Sequence, residues 1–157
     1  MAKTKATYNN LVVLTDEKPQ NTTGGTATSG IDNIRTLNTS YPASLPWWVS
    51  LTANQFTLQP GMYRIKWSTP ADQCHRHQSF LYSVTGALTL RRGNSSHTNS
   101  SSDVINRSEG IYTGYMSAVT VLEIRHRVQS TAPTNGLGVE SNFGTEVYTT
   151  VDIKRVA

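Results

Sequence analysis

Cys74, His75 and His77 stand within four residues, and His97 and His126 could complete a ligand set, so metal binding is the first chemistry to weigh. Zinc sites that can be read from sequence come as paired motifs with short fixed spacings, and no second pair accompanies 74–77. His75 and His77 share a face only if the stretch is already a strand, which the preceding "TPADQ" argues against. The expectation is therefore no metal, with histidines that make ordinary hydrogen bonds. Hydrolytic chemistry fares no better. There is no Gly-x-Ser-x-Gly elbow, and the carboxylates Glu123 and Asp152 fall on the wet faces of candidate strands beside Arg125 and Lys154. Neither "TTGGTATSG" nor "NGLGVES" ends in the Gly-Lys-Ser/Thr of a phosphate loop. No enzyme and no cofactor are expected.

The elements that position these residues are strands. In "AVTVLEIRHRV", Leu122, Ile124, His126 and Val128 alternate with Glu123, Arg125 and Arg127, and His126 interrupts the apolar row. A polar group there needs a partner, so His126 is expected to be hydrogen-bonded in the core or at a subunit contact. In "EVYTTVDIKRV", Val147, Thr149, Val151 and Ile153 alternate with Tyr148, Thr150, Asp152 and Lys154. In "FTLQPGMYRIKWS", a Pro60-Gly61 turn precedes Tyr63, Ile65 and Trp67 on one face and Arg64 and Lys66 on the other. Further strands are expected at 11–15, 34–37, 47–51, 55–58, 78–84, 88–92 and 111–116. Strands with one dry and one wet face need a second layer, which predicts an all-β, two-sheet antiparallel sandwich.

Of the 157 residues only 15% are charged, and the net charge is +4. The basic residues are scattered, with no run longer than Arg91-Arg92, which argues against a nucleic-acid groove and for docking onto an acidic partner. The single cysteine excludes an internal disulfide, and the apolar run "LVVL" is too short for a signal peptide or membrane span. Synthesis in a cytoplasm is expected, and the five Asn-x-Ser/Thr sequons carry little weight without a secretory signal. Residues 1–44, with the Gly/Thr/Ser run 21–30, read as an extended N-terminal arm bearing one or two short strands, and 45–157 as the sandwich. Residues 93–103 read as a mobile loop, and 130–144, with Leu137, Val139 and Phe143, as a packed one.

Phe56, Thr57, Gly61 and Tyr63 resemble the Phe-Thr-x-x-x-Gly-x-Tyr signature of the trimeric jelly rolls related to tumour necrosis factor and the globular heads of complement. A longer resemblance, to a module of tailed-phage virion proteins, runs in consistent order from about residue 15 to 155. It is carried by Asp16–Lys18, Gly24–Thr26, Arg35–Thr39, Phe56–Ile65, Arg76–Gln78, Glu123–Arg127, Asn135–Gly138 and Asn142–Thr149, and departs at "STPA", 68–71, and over 93–103. The resemblance implies a homotrimeric jelly roll in a phage virion, with Phe56, Tyr63, Ile65, Trp67, His77, His126, Phe143 and Tyr148 in the core or at the trimer contact. It implies a capsid cement or decoration protein that binds the major capsid protein or another virion protein. Lys3, Lys5, Tyr8, Asn9 and Asn10 of the arm are the expected contacts. The alternative is an adhesion module at a tail tip recognising a host surface glycan or protein through 93–103 and the strand of Tyr112 and Tyr115.

Overall fold

The computed structural model describes residues 10–101 and 103–157. Twelve strands follow one another: β1 Leu11–Lys18, β2 Asn33–Ile34, β3 Thr39–Tyr41, β4 Val49–Thr52, β5 Gln55–Leu58 and β6 Gly61–Ala71, then β7 Arg76–Ser83, β8 Leu88–Arg92, β9 Ser96–His97, β10 Asn106–Met116, β11 Thr120–Val128 and β12 Glu146–Arg155. They form two antiparallel sheets, one ordered β10-β6-β12-β1-β3 and the other β4-β5-β11-β7-β8, with β2 paired to β11 and β9 to β7. The all-β sandwich expected from the alternation is therefore present.

β6 shows the rule at its clearest. Tyr63, Ile65 and Trp67 are buried between the sheets while Arg64 and Lys66 are exposed. Facing them from the other sheet are Phe56, Leu58, Leu81, Leu122 and Ile124, and Val12, Leu14, Val151 and Ile153 extend the same core. Trp48 packs its ring 5.7 Å from that of Tyr63, and the Tyr63 hydroxyl donates to the Gln59 carbonyl at 2.7 Å, so the phenol end is satisfied. Gly110 pairs with Trp67 across β10 and β6, and a Cβ there would lie 2.0 Å from the indole. Only glycine leaves room for that ring.

Three expectations are corrected. First, residues from Leu11 onward are not an appendage. β1 lies between β12 and β3 in the five-stranded sheet, with Leu14 fully buried, because Val12 and Leu14 have the period-two spacing of a core strand. The Gly/Thr/Ser run is also tied down: Gly24 N–H donates to Gly138 O at 2.8 Å and Ala27 bridges Ala132. Secondly, the 93–103 loop is anchored by β9, by the Gly93 N–H donating to Ser79 O, and by buried Thr98, whose N–H donates to His75 O. Thirdly, the alternation of β12 changes phase. Thr15 pairs with Thr150 but Glu17 with Val147, so Tyr148 and Thr149 stand opposite Asp16 alone. This bulge buries both Tyr148 and Thr149 and turns Val147 out.

Candidate functional site

Of the residues expected in the core or at the trimer contact, Phe56, Tyr63, Ile65, Trp67, His77, His126 and Tyr148 are buried within the single chain. Phe143 is the exception at 97% exposure. Its turn folds around the Glu146 carboxylate, which accepts the Ser141 and Asn142 N–H groups at 2.8 Å each and the Ser141 hydroxyl at 2.9 Å, leaving the ring outside. Those bonds, the Ser141 N–H first, hold the Glu146 carboxyl below the usual carboxylate range. Glu123, expected on a wet face, is likewise buried. Gln55 Nε2 donates to it at 2.9 Å and Arg125 Nε at 2.6 Å, and together they close over it. The expected pairing with Arg125 is present.

The histidines gather in two pairs, His75 with His97 and His77 with His126, and not in one set. β7 starts only at Arg76, and His75 sits before it in the left-handed region at φ 58°, so His75 and His77 part. His77 Nδ1 instead lies 2.9 Å from His126 Nε2, both rings being buried between the sheets. Burial first, then the nearby Arg35 guanidinium, hold His126 well below its ordinary value, and the same causes with His97 bring His77 down to about 4. No cluster of three metal-ligating side chains exists among the described residues.

Arg35, absent from the sequence reading of the core, is the largest fully buried side chain. Its Nε donates to Thr149 Oγ1 at 2.9 Å, and its terminal nitrogens to Pro70 O at 3.2 Å and Leu137 O at 2.8 Å. Burial lowers its pKa to about 10, against the attraction of buried Asp16, so it stays charged at neutral pH. The bulge at Tyr148-Thr149 supplies one of its partners, and Gly138 fits under the Tyr148 ring, where a Cβ would lie 2.2 Å from the ring carbon. An isolated arginine two residues before a leucine carries no sequence signal for such a role.

The buried groups leave the outer faces as the places where another molecule can bind. On the five-stranded sheet, cross-strand register places Ile111, Lys66, Asp152, Val13 and Tyr41 in one row and Thr113, Arg64, Lys154 and Leu11 in the next. A shallow cavity of ≈ 640 Å³ lies among Arg64, Lys66, Ser68, Glu109, Ile111 and Asp152. Arg64, Lys66, Asp152 and Lys154 make no ion pair with any described residue, although Asp152 stands directly opposite Lys66. Leu11, Tyr41, Ile111 and Tyr115 are large apolar side chains exposed on the same sheet. Asn10, an expected partner contact, is exposed at the margin of this sheet, where its carbonyl accepts the Arg155 N–H. Lys3, Lys5, Tyr8 and Asn9 lie outside the described residues.

With this geometry, the chain is similar to solved structures of one fold. It matches Eiger TNF from S. frugiperda with a TM-score of 0.57 at 12% identity, over 94% of each chain. It matches murine APRIL at pH 8.5 with 0.54 at 9% identity, over 92% of this chain and 98% of that one. It matches the globular domain of a zebrafish complement 1qA protein with 0.52 at 11% identity, over 94% and 98%. The chain has the jelly-roll fold of these domains. No protein-family model and no curated protein sequence matches it.

Proposed function

We propose that the protein is a non-enzymatic structural component of a tailed-phage virion, a cement or decoration protein that assembles as a homotrimer and binds the outer capsid surface. The observation that carries the assembly is the outer face of the five-stranded sheet. Its four unpaired charges, of both signs, are interleaved with Leu11, Tyr41, Ile111 and Tyr115. Charges and apolar groups so interspersed suit a protein interface better than a solvated face, because complementary charges fix register while the apolar side chains supply area. The phage-virion motifs spread over 15–155 support the place of action.

The first ten residues precede β1 and include Lys3 and Lys5, which suit an acidic shell. Because β1 is integral to the sheet, the test removes residues 1–9 and leaves Leu11 in place. The truncated protein should still sediment as a trimer yet fail to co-sediment with capsids. Labelled full-length protein should decorate heads in electron micrographs. Labels confined to tail tips would favour the adhesion alternative and sink the cement reading.

A further inference from the structure

The outer face of the seven-stranded sheet carries a second, differently built surface. Arg76, Gln78, Ser95, Ser96, Arg127 and Gln129 line a cavity of ≈ 390 Å³ there, and no carboxylate lines it. Cross-strand register sets Arg127 beside Gln78, and Arg76 beside His97. The two guanidinium groups are in different states. Arg127 Nε is held by Asp32, which also accepts from Arg125 at 3.2 Å, while both terminal nitrogens of Arg127 are without a partner among the described residues. Arg76 has no partner for its guanidinium at all among them. Asp32 thus fixes one fork by its root and leaves its two forward donors open, an arrangement that suits a carboxylate accepting two parallel bonds.

The uncharged groups narrow the ligand. Gln78 spends its Nε2 on Gly93 O at 2.9 Å, which leaves its Oε1 as an open acceptor. Gln129 spends its Oε1 on the Arg76 N–H at 3.5 Å, which leaves its Nε2 as an open donor. Ser95 and Ser96 add hydroxyls that can act either way. An inorganic phosphate or a lone carboxylate uses donors only, and an exposed amide oxygen beside it would repel it. Sugar hydroxyls both donate and accept, so a carboxylate carried on a hydroxylated ring uses every group present.

We infer that this cavity binds a carboxylated sugar unit of an acidic polysaccharide. The site lies on the sheet opposite the proposed trimer surface, so it stays open in an assembly made through the other face. The inference does not depend on the place of the protein in a virion.

The test titrates the full-length protein calorimetrically with an oligogalacturonate. Parallel titrations use a neutral oligogalactose of the same length, a polyglutamate peptide, inorganic phosphate and a single-stranded oligonucleotide. Only the oligogalacturonate should bind appreciably. Arg76→Gln and Arg127→Gln should each weaken it about tenfold or more, the effect of losing a charge-assisted contact. Arg76→Gln removes no side-chain hydrogen bond or ion pair among the described residues, so its circular dichroism and melting should match the parent and exclude unfolding as the cause. Absence of oligogalacturonate binding would overturn the inference. So would equal binding of the neutral chain, the peptide, phosphate or the oligonucleotide, or binding indifferent to both substitutions. Sedimentation of the same samples separates the two readings: a monomer that still binds the sugar overturns the trimer alone, and a trimer that does not bind it overturns this site alone.

Discussion

The interior has two unlike ends. Around Phe56, Leu58, Ile65, Leu122, Ile124 and Ile153 the sheets meet through apolar side chains. Around Arg35, His77, His126, Ser79, Ser108 and Asp16 the same two sheets meet through polar groups, all of them buried. At the first end, stability comes from area removed from water and is non-directional. At the second it comes from bonds with fixed partners, although His77 Nε2 and His126 Nδ1 have none among the described residues. Trp67 Nε1 donates to Ser79 Oγ at 2.9 Å, Ser79 N–H to Ser108 Oγ at 2.8 Å, and Ser108 Oγ to Asn94 O at 2.8 Å, a chain that passes from one sheet to the loop beyond the other. The apolar end should tolerate swaps that conserve volume, and the polar end should not tolerate the loss of a single partner.

The largest effect should follow removal of Arg35. Arg35→Ala strands the Thr149 hydroxyl and two carbonyls and takes a neighbouring positive charge from buried Asp16, which keeps Lys18 at 3.4 Å, at a cost of roughly 3–5 kcal/mol in urea unfolding. Ile65→Ala at the apolar end should cost about 2–5 kcal/mol by leaving a cavity. The discriminating pair is conservative: Ile65→Leu should cost under about 1.5 kcal/mol, whereas Arg35→Lys, which cannot span three acceptors in a fork, should keep most of the loss. Equal tolerance at both ends would remove the distinction.

Acid should act on the polar end. His77 and His126 have folded values below the unfolded one, so the unfolded chain takes up protons that the folded chain refuses. Their contribution is complete above about pH 6.5 and is lost as pH falls toward about 4, the folded value of His77. Asp16 works in the opposite sense, because burial raises its pKa and protonation then favours the fold. The comparison is therefore made between proteins: His126→Leu should flatten the pH dependence of the melting temperature between pH 6.5 and 4 relative to the parent. An unchanged profile would show that the pair does not resist protonation.

How far the sequence foretold these ends follows from the same difference. Period-two alternation reports which face of a strand is dry, so Tyr63, Ile65 and Trp67, and the sheet pairing they imply, could be read directly. The burial of His126 could be read as well, because it interrupts an apolar row. Arg35 could not, since its burial depends on carbonyls at Pro70 and Leu137, far along the chain. The bulge in β12 was equally hidden, because it is a property of the pairing with β1 and not of either strand alone. Nor does composition reveal that 21–30 and 130–144 lie against each other, which is what turned an expected arm into part of the sandwich. The proposed trimer surface was visible only as the basic side of β6. Its apolar members Leu11, Tyr41, Ile111 and Tyr115 come from three other strands.

Between these extremes lies Gly110, on the seam of the two ends against Trp67. Gly110→Ala pushes a methyl group into the indole, which must shift and strain its bond to Ser79. Overpacking of this kind costs about 1–3 kcal/mol. The same substitution in Trp67→Phe, where the ring is smaller and the Ser79 bond already gone, should cost less, and a double-mutant cycle by chemical denaturation measures that coupling.

The smallest effect should come from Phe143, a residue expected in the core or at the trimer contact. At 97% exposure its ring removes almost no area from water on folding, so Phe143→Ser should change stability by no more than about 0.5 kcal/mol. The turn beneath it is another matter. Glu146→Gln replaces an acceptor of three bonds from Ser141 and Asn142 with an amide whose NH₂ end cannot accept, so it should be clearly more destabilising than Phe143→Ser. Urea unfolding of the two variants side by side decides whether the turn is held by its carboxylate or by its aromatic ring. A larger loss for Phe143→Ser would mean that the ring is covered in solution.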